Sequence, residues 1–108
     1  MKRGYRALRE AEQELDDAAD WYARKRHGLD ERLFETYEEA IELALSMPRA
    51  GSMIADLPVD CEVRRFKLKT FPYYAVVALI DDELILVAFA HQRRKPGYWM
   101  PRLAHVTR

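Results

Sequence analysis

The sequence predicts an α+β fold: a short N-terminal strand, then an antiparallel helical hairpin, then a three-stranded antiparallel meander. Apolar residues of the first half recur at helical spacing, whereas those of the second half alternate or run continuously, as is typical of strands. Glycine and proline separate these segments. With 108 residues, of which 49% are hydrophobic, the chain is long enough to bury a core, and we expect a single domain over residues 1–108.

The first half predicts a short strand and two helices. The strand is expected at Tyr5–Arg9. A helix should follow over Glu10–His27, because acidic side chains fill its start, cations fill its end and Gly28 comes next. A second helix is expected over Leu29–Ser46, and the short connection favours an antiparallel pair. The predicted buried stripes are Leu15, Ala18, Ala19 and Tyr22 in the first helix, and Leu33, Tyr37, Ala40, Ile41, Ala44 and Leu45 in the second.

The second half predicts a loop and three strands. Residues Met47–Asp60 contain prolines and a glycine and are expected to form a loop. Val63–Phe71 alternates between apolar and basic residues, which is typical of a strand with one buried face. Tyr73–Ile80 is almost continuously apolar, as expected of a central strand covered on both faces. A turn at residues 81–83 leads to the last strand, Leu84–His91, and the helices should cover one face of this sheet.

The net charge of zero conceals an asymmetry between the two halves of the chain. Residues 1–60 contain 9 Lys/Arg and 14 Asp/Glu, whereas residues 61–108 contain 9 and 4. This split indicates a basic surface that faces an anionic partner, or two halves that neutralise each other across the fold. We expect a cytoplasmic protein without a membrane span, because the sequence has no secretory signal, no long apolar run and one cysteine.

Two basic clusters are candidates for binding a target. Arg65, Lys67 and Lys69 alternate along one strand face about 7 Å apart, so they are suited to phosphates. The alternative is a solvated face or an edge strand protected by charge. The segment His91–Lys95 ends the last strand and should lie beside them, and its cations precede Tyr98 and Trp99. Cations and aromatic rings together suit nucleic acid.

Some of these residues have a second, structural interpretation. Tyr98 and Trp99 either contact a partner or fold back over the core. His91 either transfers protons or has a structural role. Trp21 lies off the apolar stripe of its helix, so it is either an exposed partner contact or a cover for the sheet edge. The carboxylates of residues 10–42 are interpreted as a solvated helix surface.

No cofactor or metal is expected. The three histidines do not have the spacing of metal ligands, and Cys61 is isolated. There is no glycine-rich phosphate loop, and no serine lies near a residue that would activate it as a nucleophile.

The helical stretch from Ala11 to Gly51 and the segments RRF, FPY and AHQRR…GYW, in this order, resemble the RelE/ParE superfamily of toxins from bacterial type II toxin–antitoxin systems. The resemblance extends from Ala11 to Trp99 and is closest to the ParE-like, plasmid-stabilisation branch. It implies a growth-inhibiting toxin that forms a complex with its cognate antitoxin. It also implies DNA gyrase as the target, inhibited by protein contact, with a ribosome-dependent mRNA endonuclease of RelE type or a non-toxic antitoxin-binding relative as alternatives.

The resemblance also suggests roles for particular residues. For a ribonuclease, the corresponding catalytic residues would be Lys67, Lys69, His91, Arg94 and Tyr98. The middle strand departs from this pattern, because Tyr74 or Ala75 stands roughly where RelE-like enzymes carry an arginine. This departure favours the non-nuclease branch. We expect target or nucleic-acid contacts from Arg64, Arg65, Lys67, Lys69, Arg93, Arg94 and Lys95, and partner contacts from Trp21, Tyr98 and Trp99.

Overall fold

A computed structural model describes residues 4–57 and 60–106. Its α+β class and the order of the main elements confirm the prediction. The elements are β1 (Gly4–Ala7), α1 (Arg9–Lys25), α2 (Leu29–Ser46), β2 (Ser52–Met53), β3 (Glu62–Lys67), β4 (Tyr73–Ile80) and β5 (Glu83–His91), with 3₁₀ helices at Pro48–Ala50 and Met100–His105.

The strands form one five-stranded sheet in the order β1-β5-β4-β3-β2. The pair β1–β5 is parallel and the other pairs are antiparallel. The sheet is therefore wider than the predicted meander. The N-terminal strand joins it through β5, and the two-residue β2 lies within the expected loop Met47–Asp60. Residues 58–59 of that loop are outside the described residues.

β3 is shorter than the predicted strand, since it ends at Lys67 rather than Phe71. The chain turns beyond this point: the backbone N–H of Leu68 donates to the carbonyl of Tyr73, and Thr70 has a φ of 64°. Alternating side chains predicted the strand correctly up to Lys67, but the turn removes Lys69 from the row of basic residues.

The helical hairpin covers one face of the sheet, as predicted. The two helices connect through Gly28, whose φ of 88° is a conformation that glycine adopts at little cost. The shared core contains Leu15, Ala18, Ala19, Leu33, Ala40, Ile41 and Ala44 from the helices, and Phe66, Leu68, Phe71, Ala75, Val77, Leu84, Leu86 and Phe89 from the sheet side.

A second core lies on the opposite face of the sheet. The sequence predicted no regular element after His91, yet residues 98–106 cross this face and include a 3₁₀ helix. The segment brings Trp99, Leu103 and Val106 against the apolar side chains of β4 and β5. Trp99 is only 5% exposed, which favours the alternative that it folds back over the core rather than contacting a partner. Its indole is buried because the apolar second face of the sheet is stabilised when other apolar side chains cover it.

A β-bulge in β5 changes which sheet face the following side chains of this strand point to. The pairing of β4 with β5 shifts between Val76 and Val77, so Val87 is an extra residue on β5. Consequently Val87 and Ala88 both pack in the second core, and Phe89 returns to the helix side. β1 pairs with β5 only as far as Leu86, so within the described residues the rest of that strand edge has no neighbouring strand.

Candidate target-binding site

Three of the predicted cations, one from β3 and two from the segment after β5, line one groove on the second face of the sheet. This cationic groove has a volume of about 200 Å³ and is lined by Arg65 of β3, Tyr74 of β4, and Arg94, Lys95 and Tyr98 from the segment after β5, among others. Its floor includes Val76 and Ala90 of the second core. Charged and aromatic side chains thus surround an apolar floor, an arrangement suited to a partially desolvated anionic group.

Aromatic rings support two of the arginines. The guanidinium carbon of Arg65 lies 4.8 Å from the centre of the Tyr74 ring, and that of Arg94 lies 3.8 Å from the centre of the Tyr98 ring. Such contacts stabilise a cation by about 0.5–1 kcal/mol at exposed sites and restrict its orientation. Lys67 pairs with Tyr74 in the sheet register, so it extends from the same face as Arg65.

Lys67 is not among the residues that line this groove, and three other predicted cations do not line it either. Arg64 points to the helix side, where its guanidinium pairs with Glu62 and donates to the carbonyl oxygen of Gly51 at 2.7 Å. Lys69 lies exposed in the turn beyond β3. Arg93 is exposed, but it is not among the residues that line the groove. The strand period separates Arg64 from Arg65 because neighbouring side chains point to opposite faces.

His91 lies at the end of β5, at the boundary between the two sheet faces. Its ring is half-buried and makes an edge contact with the Tyr73 ring, with 5.0 Å between the centroids. Its Nδ1 accepts a hydrogen bond from the backbone N–H of Arg93 at 3.0 Å, so a neutral imidazole carries its proton on Nε2. Tyr73 belongs to the helix-side core, which directs the His91 ring away from Lys67.

A second, larger groove runs between α1 and the ends of β4 and β5. This aromatic groove has a volume of about 550 Å³. Trp21 is 48% exposed and packs edge-on against Tyr22, and Lys25 lies over the Trp21 ring. The side chains lining the groove are Glu14, Asp17, Ala18, Trp21, Tyr22, Pro72, Tyr73, Phe89, His91 and Arg94. His91 and Arg94 line both grooves.

A cluster of polar side chains closes the exposed edge of β5 beyond β1. Glu14 of α1 accepts a hydrogen bond from the backbone N–H of Phe89 at 3.0 Å and one from the Tyr98 hydroxyl at 2.7 Å. Both its oxygens also accept from the Arg102 guanidinium, at 3.0 and 2.9 Å. Arg102 in turn donates to the carbonyl of Val87 at 3.0 Å. We call Glu14, Tyr98 and Arg102 the edge clamp.

The edge clamp shifts the pKa of each of its members. Burial by itself raises the pKa of Glu14, but the hydrogen bonds from Arg102, Tyr98 and the Phe89 N–H outweigh it, so the pKa lies below its ordinary value. Burial and the bond to the Glu14 carboxylate raise the pKa of Tyr98. The bond to Glu14 raises the pKa of Arg102. The clamp therefore holds an ionised carboxylate, a neutral phenol and a guanidinium cation at neutral pH.

The edge clamp is not apparent from the sequence pattern, which predicts solvated carboxylates over residues 10–42. In the structure Glu14 keeps only 17% of its side chain exposed. A signal was present, because Glu14 follows Ala11 by three residues and precedes Ala18 by four, which puts it on the buried stripe of α1. For Arg102 no such signal existed, since its partner is 88 positions away in the chain.

Neither a metal site nor a membrane-spanning helix is found in the described part of the chain. Within residues 4–57 and 60–106, no three His, Cys, Asp or Glu side chains come together in a way that suits a metal ion. In those same ranges, no helix combines the length and apolar character needed to cross a bilayer.

Comparison with known proteins defines the family. A solved structure described as "Chromosomal ParDE TA system from P. aeruginosa" has this fold, with a TM-score of 0.62 and 18% identity over 82% of this chain and 95% of that chain. The family model "ParE toxin of type II toxin-antitoxin system, parDE" matches residues 5–96. The chain therefore belongs to the ParE toxin family of type II toxin–antitoxin systems, in which a toxin is paired with an antitoxin. No curated protein matches the sequence.

Proposed function

We propose that this toxin acts in the cytoplasm as a single domain over residues 1–108, inhibits DNA gyrase by direct protein contact, and is neutralised by a cognate antitoxin. The cationic groove is the proposed target contact. Its arginines are positioned by aromatic rings, so less side-chain entropy is lost when they pair with an acidic surface. Charge complementarity of this kind accelerates association and selects the partner.

One observation carries the choice of a non-nuclease mechanism: the expected ribonuclease side chains come together only in part. His91, Arg94 and Tyr98 line the cationic groove, but Lys67 and Lys69 do not. RNA cleavage by 2′-OH attack needs acid, base and cation within hydrogen-bond reach of one phosphate. The Tyr98 hydroxyl is directed at Glu14, and the His91 ring packs on Tyr73 of the helix-side core. Tyr74, instead of an arginine, lines the groove. This geometry favours binding over proton transfer.

The test is expression of the toxin alone, followed by purified assays. Induction should stop growth, and the protein should block supercoiling by purified gyrase while leaving mRNA intact in a translation extract. Arg65→Ala combined with Arg94→Ala should weaken gyrase inhibition. Arg24→Ala combined with Arg32→Ala removes two exposed arginines from the helices and is the matched control. Cleaved mRNA would instead indicate the endonuclease, and uninterrupted growth would indicate a non-toxic antitoxin-binding relative.

We further propose that the aromatic groove binds the antitoxin. Its support is the exposed Trp21 beside a concave surface lined by other aromatic rings, because large exposed apolar patches on small proteins mark interaction sites. Trp21→Ala should reduce rescue of growth by the co-expressed product of the adjacent gene and weaken complex formation in calorimetry. Met53→Ala is a matched control, since Met53 is 61% exposed on β2 and does not line this groove. Equal rescue by both variants would refute this assignment.

A further inference from the structure

We infer that Glu14, on the helical hairpin, is a positioning residue for Arg94, which lines the cationic groove as well as the aromatic groove that Glu14 also lines. The connection runs around the open edge of β5, where Glu14 and Arg102 bond to the backbone of Phe89 and Val87. These two side chains supply hydrogen bonds that a further strand would otherwise supply. They therefore tie the hairpin, the sheet and the C-terminal segment to one another.

Glu14 also contacts the Tyr98 side chain. The Tyr98 hydroxyl donates to Glu14 Oε2 at 2.7 Å, and Arg102 lies on the same carboxylate, with its guanidinium carbon 5.3 Å from the Tyr98 ring centre. Charge-assisted bonds of this kind are among the strongest in proteins and have defined directions. The hydroxyl end of the ring is thus held by Glu14 and the ring is flanked by Arg102, which restricts the positions that the Tyr98 side chain can take.

The Tyr98 ring in turn contacts Arg94. At 3.8 Å, Arg94 makes the shortest of the cation–ring contacts in the described residues, and it rests on the Tyr98 ring that Glu14 orients. Arg94 itself is exposed, so nothing as firm as a buried ion pair holds it. Loss of the Glu14 carboxylate would free the ring and let Arg94 sample other positions. This inference deepens the proposed function, because it adds a residue of the helical hairpin that controls the geometry of the cationic groove. Only its consequence for toxicity rests on the proposed function.

The same arrangement gives Tyr98 a role distinct from acid–base chemistry. A hydroxyl committed to a carboxylate inside the fold holds its proton, and its pKa is raised by burial and by Glu14. The functional part of this side chain is its ring, which supports Arg94. Tyr98→Phe keeps the ring and removes its anchor, whereas Tyr98→Ala removes both.

The test follows the Arg94 side chain by nuclear magnetic resonance in the folded protein. A stacked ring displaces the signals of the arginine methylene protons to lower frequency, and Tyr98→Ala gives the undisplaced reference. Tyr98→Phe should lose most of this displacement, because it removes the hydroxyl that anchors the ring. Glu14→Gln should lose part of it, because the neutral amide oxygen accepts a weaker hydrogen bond than the carboxylate. Asp20→Asn, an acid-to-amide change at an exposed position of the same helix, should retain all of it.

Val63→Ala separates the positioning role from a purely structural one. This variant weakens the second core from β3 rather than from the segment that carries Tyr98 and Arg102, so it should lower the melting temperature and leave the Arg94 displacement unchanged. Unchanged Arg94 signals in both folded Glu14→Gln and folded Tyr98→Phe would overturn the inference. If Glu14→Gln does not fold, Tyr98→Phe decides alone.

The consequence for the toxin is measured separately. At equal amounts of folded protein, Glu14→Gln should raise the concentration needed for half-inhibition of gyrase by about tenfold, and Arg94→Ala should do the same. If Arg94→Ala inhibits normally, the target contact proposed above fails. The positioning of Arg94 by Glu14 still stands or falls on the resonance measurement.

Discussion

Replacement of Gly51 by alanine should destabilise the protein, although the backbone conformation at this position is ordinary. It has a φ of −80° and a ψ of 155°, which any residue adopts, so the effect must be steric. A Cβ at this position would lie 2.5–2.8 Å from three atoms of the Phe66 ring. Phe66 is 4% exposed in the helix-side core and cannot easily withdraw. Such overpacking costs about 1–3 kcal/mol, against about 0.4–1 kcal/mol gained by restricting the unfolded chain.

We therefore expect Gly51→Ala to lower the free energy of unfolding by about 1–2 kcal/mol. Urea denaturation followed by circular dichroism measures this value. Gly4→Ala is the matched control, because its Cβ would meet its nearest neighbour, Cγ of Glu83, at an ordinary 3.8 Å. In a Phe66→Leu background the alanine should cost less, since the smaller side chain leaves room. Equal or greater stability of Gly51→Ala, or strictly additive effects with Phe66→Leu, would refute the steric argument.

Three further predictions concern the second core, the edge clamp and the basic strand. Leu103→Ala should lower the free energy of unfolding by about 2–5 kcal/mol in urea, because Leu103 is fully buried; a loss below about 0.5 kcal/mol would mean that the C-terminal segment is not docked. In the folded protein the pKa of Glu14 lies below its ordinary 4.5, so the ionised carboxylate stabilises the fold in full above that pH. This stabilisation is lost as the pH falls through the pKa of the folded protein. The free energy of unfolding, measured by urea denaturation, should therefore change less between pH 7 and pH 3 for Glu14→Gln than for the wild type. Equal changes in the two proteins would contradict this prediction. Lys67→Ala with Lys69→Ala should change stability by no more than about 0.5 kcal/mol, because both side chains are exposed, and a larger loss in the same assay would give them a structural role.

Periodicity predicted the long elements well because their burial is local and regular. The bounds of α2 and β4 agree with the prediction at both ends, and α1 and β5 differ by one or two residues. β2 was missed because two residues carry no period; only pairing with β3 makes them a strand. The 3₁₀ helix at Met100–His105 was missed for a similar reason, since short helices of this type depend on the surface they cover.

The candidate site was predictable only in part. The strand period correctly put Arg65 and Lys67 on one face, and the position of Arg94 after the last strand brought it near them. The strand period also puts Arg64 on the face opposite Arg65, where it pairs with Glu62, so its absence from the groove could have been predicted. The sequence left two interpretations of Trp99 open. Burial of Trp99 follows from an apolar second face that no pattern near residue 99 reveals.

The sequence by itself determined the α+β class, the helical hairpin, the central strands and the resemblance that comparison confirmed as membership of the ParE toxin family. All of these depend on spacing between nearby residues, which local sterics and amphipathicity translate directly into structure. The tertiary structure alone decided that a carboxylate of α1 meets a guanidinium near the C-terminus and that the C-terminal segment closes a second core. The reason is that unpaired edge groups and apolar faces take whichever partners the folded chain brings to them, however distant in sequence.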